Sequence, residues 1–299
     1  MAHSQPRVLI TGIQGFTGRY MAQEMAAHGY QVFGLSSRGG DGQQVLQADL
    51  LDAASLREAV AQVSPQVVIH LAAQAFVGHG DPASFYQVNL IGTRYLLEAL
   101  ASAAQPPRCV LLASSANVYG NAQEGLLDEH SPVQPANDYA VSKLAGEYVA
   151  GLFTSRLPLV ITRPFNYTGV GQGEQFLLPK IVAHVRQRAE LIELGNLDVA
   201  RDFSDVRAVV AAYRHLVAQC PAGHTVNVSS GQSHTLRQVL ALCEALSGHR
   251  MEVRVNPAFV RANEVKTLTG DNRKLLGLAP GWSTPPLRDT LQWMLGTDL

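Results

Sequence analysis

Short β-branched runs alternate with longer stretches of helical spacing along the first half of the chain. RVLIT (7–11) reads as a strand. FTGRYMAQEMAAHG carries apolar residues at helical intervals behind it, with Gly29 placed to stop the helix. QVFGL is the next strand. SLREAVAQV then leads as a helix to VVIHLA, FYQVNLIGTRYLLEALASA leads to CVLLAS, and YAVSKLAGEYVAGLF leads to LPLVITRP. Strands this apolar on both faces, each separated by a helix, predict an α/β fold with a doubly wound parallel sheet of Rossmann type. Beyond residue 165 the rhythm shortens, and Gly169, Gly171 and Gly173 mark loops. A Rossmann domain over 1–165 and a smaller C-terminal α/β substrate-binding lobe over 166–299 are therefore expected, with late segments returning to the first domain.

Composition narrows the class. The 299 residues carry 23 Lys plus Arg against 24 Asp plus Glu, a net charge of −1, which removes the basic footprint of a dedicated nucleic-acid binder. At 46% hydrophobic and 16% charged, the chain can bury a large core and is too apolar for disorder. No apolar run is long enough to span a bilayer, and MAHSQPRVLI lacks the apolar centre of a signal peptide. Three widely spaced cysteines, Cys109, Cys220 and Cys243, suggest neither a disulfide framework nor a metal knuckle, so a cytoplasmic location is expected. No pair among the ten histidines has metal spacing beside carboxylates, and no metal site is expected.

Directly after the first strand comes Gly12-Ile-Gln14-Gly15-Phe16-Thr17-Gly18. Glycines at this spacing let the backbone turn tightly and approach a pyrophosphate, while the amides of the following helix face its negative charge. With a strand before and a helix after, the loop predicts dinucleotide binding. The second strand ends in Ser36-Ser37-Arg38, with no acid before Asp41. A carboxylate there would hold a ribose 2′-hydroxyl, whereas serine hydroxyls and a guanidinium suit a 2′-phosphate, so NADP is expected ahead of NAD. Asp49-Leu50 and Leu71-Ala72-Ala73 fall at the ends of the third and fourth strands and are candidates to border adenine and ribose.

Tyr139 and Lys143 lie four apart at the start of a helical pattern, on one face. A phenol titrates near 10 in water, and an adjacent ammonium is expected to lower that value and make an acid/base pair. Ser115 stands just beyond CVLLA, at the carboxyl end of a strand, where ligands of open α/β sheets bind. His70, inside VVIHLAAQ, reads as a packed histidine, and His79 as a loop residue within reach of a sugar.

The chain resembles the extended short-chain dehydrogenase/reductase family through the glycine loop, Ser114-Ser115-Ala116-Asn117-Val118-Tyr119-Gly120, Tyr139-Ala-Val-Ser-Lys143 and Arg163-Pro164-Phe165-Asn166. The resemblance implies that Ser115, Tyr139 and Lys143 are catalytic. It also implies that Asn89 and Pro164 lie beside the cofactor, that Asn166 contacts a sugar-nucleotide diphosphate, and that the protein is a homodimer. Leu144, Val149, Leu152 and Phe153 are candidates either for that contact or for the core.

In the second half, Gly195-Asn-Leu-Asp198-Val-Ala-Arg201-Asp202-Phe203 and Arg261-Ala-Asn-Glu264-Val-Lys-Thr-Leu-Thr-Gly270-Asp271 resemble segments with which GDP-mannose 4,6-dehydratases and GDP-4-keto-6-deoxy-mannose reductases hold GDP. Arg201 and Arg261 suit the diphosphate, Glu264 a ribose hydroxyl or guanine, and Lys180 a further nucleotide contact. Arg261-Ala262 departs from the usual Arg-Pro. The dehydratases place a glutamate two residues before the Tyr-Gly pair, and here that position is Asn117. An amide cannot take the C5 proton that dehydration requires. Reduction of an existing 4-keto group is the expectation, giving GDP-D-rhamnose or its C4 epimer GDP-6-deoxy-D-talose. A 4,6-dehydratase with a displaced base, a C4 epimerase and a catalytically silent NADP-binding sensor stay open as alternatives.

Overall fold

A computed structural model describes residues 5–40, 44–75, 81–121, 125–259 and 266–296. The chain begins with β1 (Arg7–Thr11), α1 (Phe16–Ala27), β2 (Gln31–Ser36), β3 (Val45–Gln47), α2 (Ala53–Val63) and β4 (Val67–His70). Next come α3 (Pro82–Phe85), a π-helical stretch (Tyr86–Gly92), α4 (Thr93–Ala101), β5 (Cys109–Ala113) and a 3-10 turn (Ala116–Tyr119). They are followed by β6 (Gly125–Leu127), α5 (Asp138–Gly151), β7 (Leu159–Pro164), β8 (Asn166–Thr168), α6 (Leu177–Arg186), β9 (Leu191–Leu194) and β10 (Ala200–Asp205). The remainder is α7 (Val206–Gln219), β11 (Thr225–Val228), β12 (Ser233–Thr235), α8 (Leu236–Ser247), β13 (Glu252–Val255), a second 3-10 turn (Pro257–Phe259), β14 (Thr267–Gly270), α9 (Arg273–Leu278) and α10 (Leu287–Leu295).

Seven strands form one sheet in the order β11-β7-β5-β4-β1-β2-β3, every pair parallel. Alternation along β1 sorts its residues between two cores. Val8 and Ile10 pack with residues of α1, α7 and α9 on one face. Leu9 packs with those of α2, α4 and α5 on the other. This is the doubly wound arrangement expected of strands apolar on both faces, and β1 and β4 flank the switch point at whose carboxyl end such sheets bind ligands. The chain returns to this sheet late, when β11 adds beyond β7 and α7 lies against α1.

A smaller sheet runs β12-β10-β14-β6, with β8 along the other half of β10, and β9 pairs with β13 apart from it. Helices α6, α8 and α10 bury Ile181, Val239 and Leu291 behind these strands. Among the described residues no helix is long and apolar enough to cross a membrane.

Two elements differ from the sequence pattern. VVIHLA continues as strand only to His70, because the chain then turns toward Gly12. The helix expected over 85–103 passes through the π-helical stretch before α4. That extra residue per turn sets Asn89 inward, where its amide bonds the backbone of Gln74 and the hydroxyl of Ser142.

Candidate active site

The glycine loop forms a cradle that no side chain could share. Gly12 has φ +70, and a Cβ there would stand 2.8 Å from the Ala72 nitrogen. At Gly18 a Cβ would meet the Gly12 carbonyl oxygen and Ile13, so α1 can start this close to β1 only with glycine. Ala72 N–H donates to the Thr11 hydroxyl (3.1 Å), which holds Leu71–Ala73 beside the loop. A bare backbone turn at a helix N-terminus fits a dinucleotide pyrophosphate.

At the end of β2 the side chains divide. The Ser36 hydroxyl donates to Gln14 Oε1 (2.7 Å), so its hydrogen is already taken. Ser37 and Arg38 are exposed, and among the described residues nothing engages the Arg38 guanidinium. Ser37 and Arg38, not Ser36, are thus free for a 2′-phosphate. Asp49 is exposed and caps its own turn through Leu51 N–H (2.9 Å), while Leu50 packs under Gly92.

Ser115 and Tyr139 meet at the carboxyl end of β5. Ser115 caps the 3-10 turn by accepting from Asn117 N–H (3.1 Å), so its own hydrogen is left to face the phenol of Tyr139, whose ionised form it favours. Asn137 caps α5 through Ala140 N–H (2.9 Å), and Tyr139 is anchored edge-on to Phe85 with ring centroids 6.1 Å apart. Lys143 sits one turn further along α5, 9% exposed. Asn89 ties this helix, through Ser142, to the loop beyond β4, which makes it a positioning residue in the structure.

The direction of the Tyr139 shift is opposite to the sequence expectation. Burial pushes the phenol up to about 12, outweighing the Ser115 hydrogen bond that favours ionisation. Burial also lowers the Lys143 ammonium to about 8, with Glu147 opposing. Both groups lose hydration, and the phenol gains no acidity from the ammonium to set against that loss.

Beneath Lys143 lies a buried polar network. Glu147 receives two hydrogen bonds from Arg163, Nε to Oε1 at 3.0 Å and Nη2 to Oε2 at 2.7 Å, and one from the Ser114 hydroxyl. Arg163 lies over the Tyr119 ring and donates to its hydroxyl (3.2 Å), which in turn donates to Asn227 of β11 (2.7 Å). The network fixes the strand that ends in Pro164.

The other candidates fall at separate places. Asn117 is exposed beside Ser115, and Asn166 is exposed on β8, paired in register with Phe203. Arg201 lies on β10 between His234 and Leu268. Lys180 on α6 donates to the Glu193 carbonyl (2.8 Å) and stands 5.0 Å over the Phe259 ring. Arg261, Glu264 and His79 lie outside the described residues. His70 is packed as expected. The Thr93 hydrogen goes to the Asn89 carbonyl, so His70 Nε2 donates to Thr93 (2.9 Å) and Nδ1 accepts from Thr11 (2.6 Å). Burial holds that ring neutral, its pKa lowered to about 3.

Sequence reasoning missed Tyr167. Its hydroxyl shares a 2.8 Å hydrogen bond with Thr17, its ring stacks on Phe16, and Tyr20 and Arg19 reach the Val170 and Gly171 carbonyls nearby. This seam joins the phosphate loop to the segment carrying Asn166. Its only sequence signal was an aromatic residue directly after that asparagine.

With the site in view, its relatives are informative. The profile of the GDP-mannose 4,6 dehydratase family matches residues 9–284. A GDP-6-deoxy-D-mannose reductase of Pseudomonas aeruginosa is 35% identical, covering 90% of this chain and 89% of its own. A GDP-6-deoxy-D-talose 4-dehydrogenase of Aggregatibacter actinomycetemcomitans is 32% identical, covering 91% and 90%. Among solved structures, RMD from Pseudomonas aeruginosa complexed with NADPH superposes with TM-score 0.85 at 32% identity, over 99% of this chain and 98% of its own. A Burkholderia cenocepacia protein provisionally named an epimerase reaches TM-score 0.93 at 50% identity, over 97% of both chains. The matched span includes the glycine loop, Ser115, Tyr139 and Lys143, and by it the chain belongs to the GDP-mannose 4,6-dehydratase family within the extended short-chain dehydrogenase/reductase fold.

Proposed function

We propose that the protein reduces the 4-keto group of GDP-4-keto-6-deoxy-D-mannose with NADPH, giving GDP-D-rhamnose and NADP. The observation that carries this reading is a Tyr139 phenol kept protonated beside Ser115, in a site whose dehydratase base position is an amide, Asn117. The reduced nicotinamide, when bound, supplies the hydride. Tyr139 gives its proton to the C4 oxygen, which as an alkoxide is a far stronger base than a phenolate. Ser115 donates to the same oxygen, a contribution of a few kcal/mol in comparable oxyanion sites. Lys143, charged below about pH 8, orients the phenol and a cofactor ribose. Asn117 and Asn166 are assigned to the sugar diphosphate side, with Arg201, Lys180, Arg261 and Glu264 on the GDP. Gly12, Gln14, Gly15, Phe16, Thr17, Gly18, Ser37, Arg38, Asp49, Leu50, Leu71–Ala73 and Pro164 are assigned to the cofactor, with Asn89 holding α5 and the loop beyond β4 in place beside it.

The likeness to a GDP-6-deoxy-D-talose 4-dehydrogenase favours a second reading, in which the product is the C4 epimer. Mixing the protein with NADPH and the keto sugar and following absorbance tests the reaction, and the product's C4 coupling constants assign its stereochemistry. No nicotinamide oxidation would remove the assignment.

The pH dependence follows from the two shifts. Reduction needs the acid forms of Tyr139 and Lys143, which are present below their pKa values and lost above them. The kcat/KM for reduction is therefore expected to stay level to about pH 8, where Lys143 discharges, and to fall as pH rises further. Oxidation of the alcohol needs the phenolate together with the charged Lys143, so it should rise with pH to about 8 and level off beyond. A profile that falls toward acid in the reductive direction would contradict this assignment.

A homodimer is proposed through the outer face of α5, where Val141 (38%), Tyr148 (69%) and Leu152 (67%) are exposed. Leu144, Val149 and Phe153 turn inward to the cores, so only Leu152 of the four sequence candidates faces outward. Leu152→Glu with Tyr148→Glu is expected to leave a monomer in sedimentation, against a wild-type dimer.

A further inference from the structure

We propose that Gln14 sets the preference for the phosphorylated cofactor by anchoring the turn that presents Ser37 and Arg38. This deepens the reading above and rests on its assignment of NADPH. Gln14 Nε2 donates to the Gly39 carbonyl (2.7 Å), and Gln14 Oε1 accepts from the Ser36 hydroxyl (2.7 Å). A carbonyl only accepts, so the amide orientation is fixed and Ser36 must be the donor. Ser36 Oγ then accepts from Arg38 N–H (3.3 Å), and Gly39 N–H closes the turn onto the Ser36 carbonyl (3.2 Å). One side chain of the phosphate loop thus grips both ends of the turn Ser36–Gly39, whose last residue holds φ +69. The two residues between them are exposed, at the place where a 2′-substituent is read.

A glutamate at 14 could still accept from Ser36. It would face the Gly39 carbonyl as a second acceptor, opening the turn, and would set a negative charge beside Arg38. Binding of NADPH and of NADH to the full-length protein, measured by calorimetry with no sugar nucleotide present, tests this. Wild type is expected to bind NADPH at least ten times tighter than NADH. Gln14→Glu should cut that ratio at least tenfold, mainly by weakening NADPH. Gln14→Met, which fills the same space without either hydrogen bond, should cut it several-fold. Arg38→Ala calibrates the loss of the cation. A ratio within twofold of wild type in both Gln14 variants, with melting temperatures unchanged, would overturn the inference, as would a wild type that does not prefer NADPH. A shifted ratio in a protein that fails to reduce the keto sugar would uphold the inference and defeat the proposed reaction instead.

Discussion

Tyr139→Phe is expected to lower kcat for the keto sugar by about 10²–10⁴-fold, the usual worth of a positioned general acid. The change deletes one oxygen and leaves the ring against Phe85, so α5 and its cap have no reason to move. KM for both substrates should stay within a few-fold, because the proton is needed only as charge develops on the C4 oxygen. Ser115→Ala removes a donor to the same oxygen and should reduce kcat by about 10²–10³-fold. The double variant should fall short of the product of the two effects, since the hydroxyls act on one atom. Steady-state NADPH oxidation measures all three. A Tyr139→Phe protein keeping more than a tenth of wild-type kcat would show that another group delivers the proton.

The largest expected effect on stability lies beneath that pair. Glu147 and Arg163 have side chains 7% and 9% exposed, and each is the other's counter-charge. Removing one partner leaves an uncompensated buried charge, so Glu147→Leu is expected to cost about 3–5 kcal/mol in urea unfolding. Glu147→Gln keeps an acceptor for Arg163 and should cost less. The paired change Glu147→Leu with Arg163→Leu should recover much of the single loss, because two apolar side chains of suitable volume need no compensation. Glu147 also supports the charge on Lys143. In Glu147→Gln the alkaline fall of the reductive profile should therefore move to lower pH. A single Glu147→Leu change costing under 1 kcal/mol, or a double variant as unstable as the single, would contradict this account of the network.

Much of this architecture was legible along the chain, because strands buried on two faces read as unbroken apolar runs and helices between them keep their period. The glycine loop was legible for a related reason, since only glycine survives where Gly12 meets Ala72. What escaped was whatever depends on partners far apart in sequence. Tyr167 and Thr17 are 150 positions apart, and no local spacing announces their hydrogen bond. The π-helical stretch escaped because a helical period with one added residue still reads as helix, although its effect is to aim Asn89 at Gln74 and Ser142. The sign of the Tyr139 shift was misjudged from spacing alone. Four residues on a helix announce that an ammonium is near, but not how much water both groups lose. On α5 the same limit applied, since Leu144 and Leu152 are alike in sequence and only packing separates the inner from the outer.

Transfer of a labelled hydrogen tests the central claim most directly. With NADPH deuterated at the transferable position and the 4-keto sugar as partner, proton spectra of the product should show one deuterium at C4 and none at C5 or C6, with one NADP released per sugar. Protium at C4, or label at C6 with no net NADP released, would contradict reduction at C4 and place the chemistry with dehydration or epimerisation.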